Sequence, residues 1–241
     1  MSKTDTKVVA FGGGHGLAAT LTALRDVTPN ITAVVTVADN GGSSGKIRSE
    51  FNFLPPGDLR MALAALCGSD SWGQSWAETI QHRFTSEGDL NGHALGNLLL
   101  AALWDSSDDL VAGIDRVGEL LKIVGRVLPM SLEPLDIEGI FTTVAGKQVV
   151  RGQIEVATAK GKLDSLQLLP KNPEVTPQVL QAIAEAQWLT FGPGSWFSSV
   201  MPHFLLKDLA KAVSQSSAKK IVILNLRGPD DADEFAGNTP E

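Results

Sequence analysis

At 241 residues, 43% apolar and 20% charged with 24 glycines, the chain has the make-up of an ordinary globular protein, burying roughly 70–75% of its unfolded surface in one large domain or two small ones. A formal charge of −7 argues against nucleic-acid binding, which needs a basic surface, yet leaves room for a small anionic ligand in a locally positive pocket. The lone Cys67, the polar MSKTDTK start and the absence of any apolar run near the roughly 18 residues of a membrane span point to no disulfide framework, no signal peptide, no membrane partner and a cytoplasmic setting.

Val8–Phe11 is a short apolar run closed by Gly12, Gly13 and Gly14, the pattern of a buried strand and its turn. Leu17, Leu21 and Leu24 recur at helical spacing and predict a helix from about Gly16 to Arg25. Ile31–Ala38 is β-branched with no polar face, as an inner parallel strand should be, so the opening is a βαβ unit. From about 55 to 125 the chain reads as helical. PPGDLRMALAAL has a helix start, Ser75 and Glu78 offer a capping box for a second helix, and HALGNLLLAALW is a third. Ser107-Asp108-Asp109 caps a fourth, with Leu110, Ile114, Val117 and Leu121 on its apolar face. Between about 137 and 169, IFTTVAG, KQVVRGQIEVATAKG and KLDSLQLL predict a small antiparallel β meander. The αβ pattern then resumes: a helix from Thr176-Pro177, a strand Trp188–Phe191, a GPGS turn, a helix Ser198–Ser214 and a strand Ile221–Leu226. RGPDDADEFAGNTPE carries no periodicity and stops where Thr239-Pro240-Glu241 would open a helix. The expected organisation is a single α/β domain over residues 1–241 with a helical section and a β meander inserted.

Three loops carry the chemistry. Gly14, Gly16 and Ala19 fit G-x-G-x-x-A between a strand and a helix, where backbone N–H groups can approach a phosphate with no Cβ in the way. Asp39, at the end of the second strand, stands where nucleotide-binding folds place an acid for ribose hydroxyls. The run Asn40, Gly41, Gly42, Ser43, Ser44, Gly45 is too long for a hairpin turn and could form an anion-binding nest, with Lys46 and Arg48 supplying charge. Gly192, Pro193, Gly194 and Ser195 repeat the strand–turn–helix device. Asp58 and Arg60 read equally as a helix cap with a surface cation or as ligand contacts. His93 and Asn97 share a helix face, although a lone His without an acidic partner is more often structural. Asp39 with Asp58 could hold Mg²⁺ against a diphosphate, with Asn40 a neutral neighbour. No HExxH, GxSxG or Walker A pattern occurs, and the four histidines lack metal-ligand spacing. Trp72, Trp76 and Trp104 are expected to pack; Trp196 follows the GPGS turn, and packing is the safer reading there too.

In order and spacing, GGGHGL, TVADNGGSSGKIR, LPPGDLRMALAAL, GHALGNLLLAAL, GPGSWFSSVMPHFLL and VILNL resemble the YvcK-like gluconeogenesis factors, which share a superfamily with the CofD-type 2-phospho-L-lactate transferases. The resemblance covers nearly the whole chain and implies a three-layer α/β/α, Rossmann-like fold with a mostly parallel sheet. It also implies a nucleotide-type ligand, UDP-N-acetylglucosamine in particular, and a role linking carbon metabolism to cell-wall synthesis and cell shape. On this sequence the family's motifs fall on Gly12–Gly14 and Gly16, Asp39–Gly45, Pro56, Gly57 and Asp58, Gly92–Asn97 and Gly192–Ser195, with Asn225 closing the last strand motif. There are departures: Asn40 replaces a usual second Asp, His15 a usual Thr, and the stretch after Asn225-Leu226 does not match the usual Gly-Glu-Thr loop, so the C-terminus reads as incomplete relative to the family. The CofD branch's Trp- and His-containing segment after the Asp pair is replaced here by GGSSG. Three functions follow: a UDP-sugar-binding regulator without turnover; a CofD-like transferase using Asp39, Asp58 and His93 on a nucleotide diphosphate donor; and, resting on the glycine fingerprint alone, an NAD-dependent oxidoreductase. The expected partner is a UDP-sugar or other nucleotide, with the choice between monomer and homo-oligomer open.

Overall fold

Five short parallel strands, in the order β3 (Arg126–Pro129), β2 (Ile31–Val35), β1 (Val8–Gly12), β7 (Trp188–Phe191) and β8 (Lys219–Val222), form the central sheet of the computed structural model, which describes residues 4–107 and 109–225. The tail from Leu226 onward, with the truncation expected there, and Asp108 lie outside the described residues. β1 (Val8–Gly12) is buried along its whole length because strands flank it on both sides and helices cover its faces. It leads into α1 (Gly14–Val27) and then β2 (Ile31–Val35), in register from Val8–Ile31 to Gly12–Val35. β2 ends three residues before the expected Ala38. Val37 and Ala38 stay buried in an irregular stretch tied down by Thr36 N–H to Gly12 O at 3.0 Å and Leu135 N–H to Val37 O at 3.0 Å.

The helical section holds α2 (Gly42–Phe51), α3 (Pro56–Ala65), α4 (Ser71–Gln81), α5 (Leu95–Asp105) and α6 (Leu110–Leu121). α2 was not expected: the glycine–serine run is the first turn of a helix rather than a loop. α4 begins at Ser71, capped by Asp70, whose carboxylate accepts from Gly73 N–H at 2.8 Å; Ser75 and Glu78 lie inside it and make no capping box. α6 carries the expected cap, Asp109 accepting from Ala112 N–H at 2.9 Å, and buries Ile114, Val117 and Leu121. Trp104 is buried and donates to Leu110 O at 3.0 Å, whereas Trp72 is a surface ring with Lys122 Nζ 4.7 Å above it.

No sequence pattern pointed to β3 (Arg126–Pro129), four residues ending in a proline, which pairs with β2 at the sheet edge. The expected meander is a three-stranded antiparallel sheet of β4 (Asp136–Thr143), β5 (Gly146–Arg151) and β6 (Lys162–Leu169), with the first strand central: β5-β4-β6. The order departs from a meander because the middle run breaks at Gly152, at φ +114, and continues as a short helix, α7 (Gln153–Thr158). Burial of Val156 overrides the β preference of that segment. Next come α8 (Pro177–Glu185) and β7 (Trp188–Phe191). The single helix expected over 198–214 is instead a π-helical turn, Trp196–Val200, then α9 (Met201–Leu205) and α10 (Lys207–Gln215). Pro202 cannot donate within a longer helix, so α9 starts around it. β8 (Lys219–Val222) is the last strand of the sheet among the described residues, starting earlier than expected. α1 packs on α3, and α8 on α10 and β3, giving helical layers around the sheet. Phe11 stacks on Phe191 at 4.9 Å at the sheet centre, and buried His203 meets Phe11 edge-on.

Candidate functional site

β1 leads to β2 and β3 on one side of the sheet, while β7, its other neighbour, leads to β8 on the opposite side. The carboxyl ends of β1 and β7 are therefore the topological switch point, where open α/β sheets bind ligands. The two glycine turns meet there. A Cβ on Gly16 would lie 2.6 Å from Pro193 C and 3.0 Å from Gly194 Cα, so only glycine allows the turns to interlock. Thr20 Oγ1 adds a bond to Gly192 O at 3.0 Å. Gly194 (φ +133) is clamped by Asn225, whose amide accepts from Gly194 N–H at 2.8 Å and donates to Gly194 O at 2.9 Å. Ser195 caps the π-helical turn, accepting from Ser198 N–H at 3.3 Å.

A second cluster builds around the start of α3. Pro56 takes its first position, and the missing Cβ of Gly57 admits both Ser44 Oγ, which accepts from Gly57 N–H at 3.0 Å, and Asp39. Asp39 Oδ1 also accepts from Gly41 N–H at 2.9 Å. Asp58 reaches back to the first glycine turn, accepting from Thr36 Oγ1 at 3.3 Å and from Gly14 N–H; a Cβ on Gly13 would meet Asp58 Oδ2 and Thr36 Oγ1 at 2.6 Å. Burial, and then the charge of Asp39, push the Asp58 carboxyl up to about 7, against the opposing pull of Thr36, Gly14 and Arg60.

Ser43 and Ser44 are buried inside α2, so their hydroxyls hold the site together instead of standing in a flexible nest. Ser43 Oγ accepts from Asn97 Nδ2 at 3.0 Å and lies 3.1 Å from His93 Nδ1; Asn97 Oδ1 in turn accepts from Arg60 Nε at 3.0 Å. Arg60 is buried, which excludes the surface cation of its two equal readings, and burial, with Arg83 nearby, lowers its guanidinium to about 10. His93 precedes α5, while Asn97 lies within it. Gly45 approaches the Asn40 carbonyl, and Gly42 (φ +48) opens α2 with empty space around it. Arg48 is committed elsewhere: it donates to Leu135 O at 2.9 Å and pairs with Asp136 at 2.6 Å. Burial would raise the Asp136 carboxyl, but hydrogen bonds from Arg151 and Arg48 outweigh it and hold Asp136 low.

A cleft of about 240 Å³ opens beside Gly14 and Asp58, and its far wall is α7 together with Ser198 and Ser199. Sequence reasoning missed this wall, as it missed Thr36 and the burial of Arg60. An arginine inside the apolar run of α3 was the one available signal. Among the described residues no group of three or more His, Cys, Asp or Glu gathers as a metal cluster. Asp39 and Asp58 are a pair that suits a Mg²⁺ whose other positions are water and phosphate.

The chain matches the family described as 2-phospho-L-lactate transferase CofD over residues 8–240. It is 50% identical over 223 residues to the "Putative gluconeogenesis factor" of Mycobacterium tuberculosis, a match covering 91% of this chain and 65% of that protein. The Gluconeogenesis factor of Listeria innocua is 38% identical over 227 residues, covering 94% of this chain and 69% of that one. A crystal structure of a upf0052 family member from Bacillus halodurans superposes with a TM-score of 0.84 at 38% identity, covering 94% of this chain and 70% of that chain. This chain thus spans about two thirds of the length of these relatives. With its motifs seated on the expected parallel sheet and these relatives beside it, the chain belongs to the CofD family, among the gluconeogenesis factors.

Proposed function

We propose that the chain binds a nucleotide sugar of the UDP-N-acetylglucosamine type and acts as a regulator, linking carbon metabolism during gluconeogenic growth to cell-wall synthesis and cell shape. The observation that carries the binding is the interlocking of two glycine turns at the switch point, with the N-terminus of α1 facing the cleft. A carboxylate at that N-terminus would repel a diphosphate. The raised Asp58 carboxyl, neutral in a large share of molecules near pH 7, or a Mg²⁺ between it and the ligand, removes that conflict. The regulatory role follows from the relatives' name and the resemblance.

A second reading, a CofD-like transferase, is favoured by the Asp39–Asp58 pair, because a carboxyl poised near neutrality suits proton transfer. A thermal-shift panel of UDP-N-acetylglucosamine, UDP-glucose, GDP and NAD, with and without Mg²⁺, tests both. Ligand at about 100 times its Kd adds roughly 2.7 kcal/mol, or about 5–10 °C for a chain of this size. A shift with UDP-sugars alone supports the regulator, and a shift with GDP and Mg²⁺ supports the transferase. A cooperatively melting chain that responds to none refutes nucleotide binding by these residues.

A further inference from the structure

We propose that α7 selects the group attached to the ligand's diphosphate, and that it selects an uncharged, hydroxyl-bearing group over an anionic one. The inference rests on the nucleotide-sugar reading and extends it to a part of the chain outside all the glycine motifs.

Size comes first. The cleft between Gly14 and α7, at about 240 Å³, is below the roughly 300–1,000 Å³ of sites that enclose a drug-sized ligand. It holds one moiety, not a whole nucleotide sugar. With phosphate at the N-terminus of α1, the enclosed moiety is the one hanging from the terminal phosphate.

Lining comes second. Ile154 and Ala157 give an apolar wall, and Gln153, Thr158 and Ser199 give neutral hydrogen-bonding groups; no lysine or arginine lines the cleft among the described residues. The one ionisable group in the wall is Asp58, and Glu155 stands on the same short helix. A carboxylate or second phosphate placed here would meet no cation in the cleft wall to offset its lost hydration, whereas sugar hydroxyls would find donors and acceptors.

The third observation is a brace. A six-residue helix has no stability of its own, yet α7 is held against the loop that carries Asp39. Asn40 Nδ2 donates to Glu155 Oε2 at 2.9 Å, and Asn40 Oδ1 lies 3.5 Å from Ile154 N. Ile154 Cδ1 lies 2.7 Å from where a Cβ on Gly41 would stand, so that glycine lets the side chain lie flat on the loop. Glu155 is held in its charged form by the Asn40 hydrogen bond. Half of the Ile154 surface remains exposed at the cleft mouth, an apolar surface placed for a sugar ring.

Isothermal titration of UDP, UDP-glucose and UDP-glucuronic acid into the wild type, Ile154→Trp and Glu155→Ala tests this. Both substituted side chains are exposed, so the variants should melt cooperatively by circular dichroism. The expected result is that the wild type prefers UDP-glucose to UDP-glucuronic acid by about tenfold or more. Each variant should lose about tenfold or more for UDP-glucose while its UDP affinity changes by less than about twofold. Equal losses for UDP and UDP-glucose, no loss for either, or a wild type indifferent to the carboxylate would overturn the inference and leave nucleotide binding standing. A wild type that binds none of the three overturns the nucleotide reading, and the inference with it.

Discussion

Gly16→Ala separates two explanations of the first glycine turn. If Gly16 is there only to let a phosphate approach, alanine is harmless in the ligand-free chain and even favourable, since a helical Gly costs about 1 kcal/mol relative to Ala. The structure gives a different answer, because the new methyl would overlap the Pro193 carbonyl and crowd Gly194 Cα at 3.0 Å, backbone atoms that cannot swing aside. Overpacking of this kind costs about 1–3 kcal/mol. Set against the helix gain, the net effect is a loss of up to about 2 kcal/mol, or a fall in Tm of up to about 8 °C. Gly88→Ala is the control, since a Cβ there meets nothing within 4 Å, and its Tm should move by less than about 2 °C. The assay is calorimetry of the ligand-free chains under identical conditions. A Gly16→Ala protein melting about 2–4 °C above the wild type, the full helix gain with nothing set against it, would refute the interlocked turns and leave Gly16 to the phosphate alone.

Three further outcomes follow from the site. Asn97→Ala strands the buried Arg60 guanidinium and Ser43 hydroxyl, and should cost about 2–3 kcal/mol in urea unfolding; a midpoint within error of the wild type would contradict that. Asp58→Asn bears on the pH dependence. With the folded carboxyl raised to about 7 from an ordinary 3.8, the folded state holds the extra proton, so this group's contribution falls as pH rises from about 4 to 7. His203, lowered to about 4 by burial, contributes with the opposite sign: stability rises between about pH 4 and its ordinary 6.5. The advantage of Asp58→Asn over the wild type should therefore grow from pH 4 to 7 and then level, and a pH-independent difference would count against the assignment. Asn40→Asp sets a carboxylate against Glu155 and should speed amide exchange in residues 153–158 about tenfold, with unchanged protection the disconfirming result.

The sequence showed the βαβ opening, the second glycine turn and the three-strand insertion, because each is a local pattern of apolar period and turn chemistry. What it concealed depended on tertiary partners. The glycine–serine run reads as a loop by composition. It is α2 because Ser43 and Ser44 find buried partners on α5 and α3 that cost them nothing as helix residues. α7 was hidden inside a β-prone run for the same reason, its helical state being maintained by Val156 in the core and Asn40 at its start. β3 is too short to show a period at all. At the site, Asp39, Asp58, His93, Asn97 and the glycines do converge, but Asn97, Ser43, Ser44 and Asn225 do so as struts bonded to protein, and Arg48 is bound to Asp136. Spacing alone cannot tell a strut from a contact.

The pairing of β1 with β7 also bears on how the chain reaches its fold. Lys7 N–H donates to Gln187 Oε1 across 180 residues, and the strand next to β1 on that side is β7, far along the chain. During synthesis β1, α1 and β2 emerge early, yet one edge of β1 stays bare until Trp188–Phe191 have left the ribosome. Contacts of such long range slow folding and leave an apolar strand edge open to other chains meanwhile. Fragments ending before Trp188 should aggregate rather than persist as soluble half-domains.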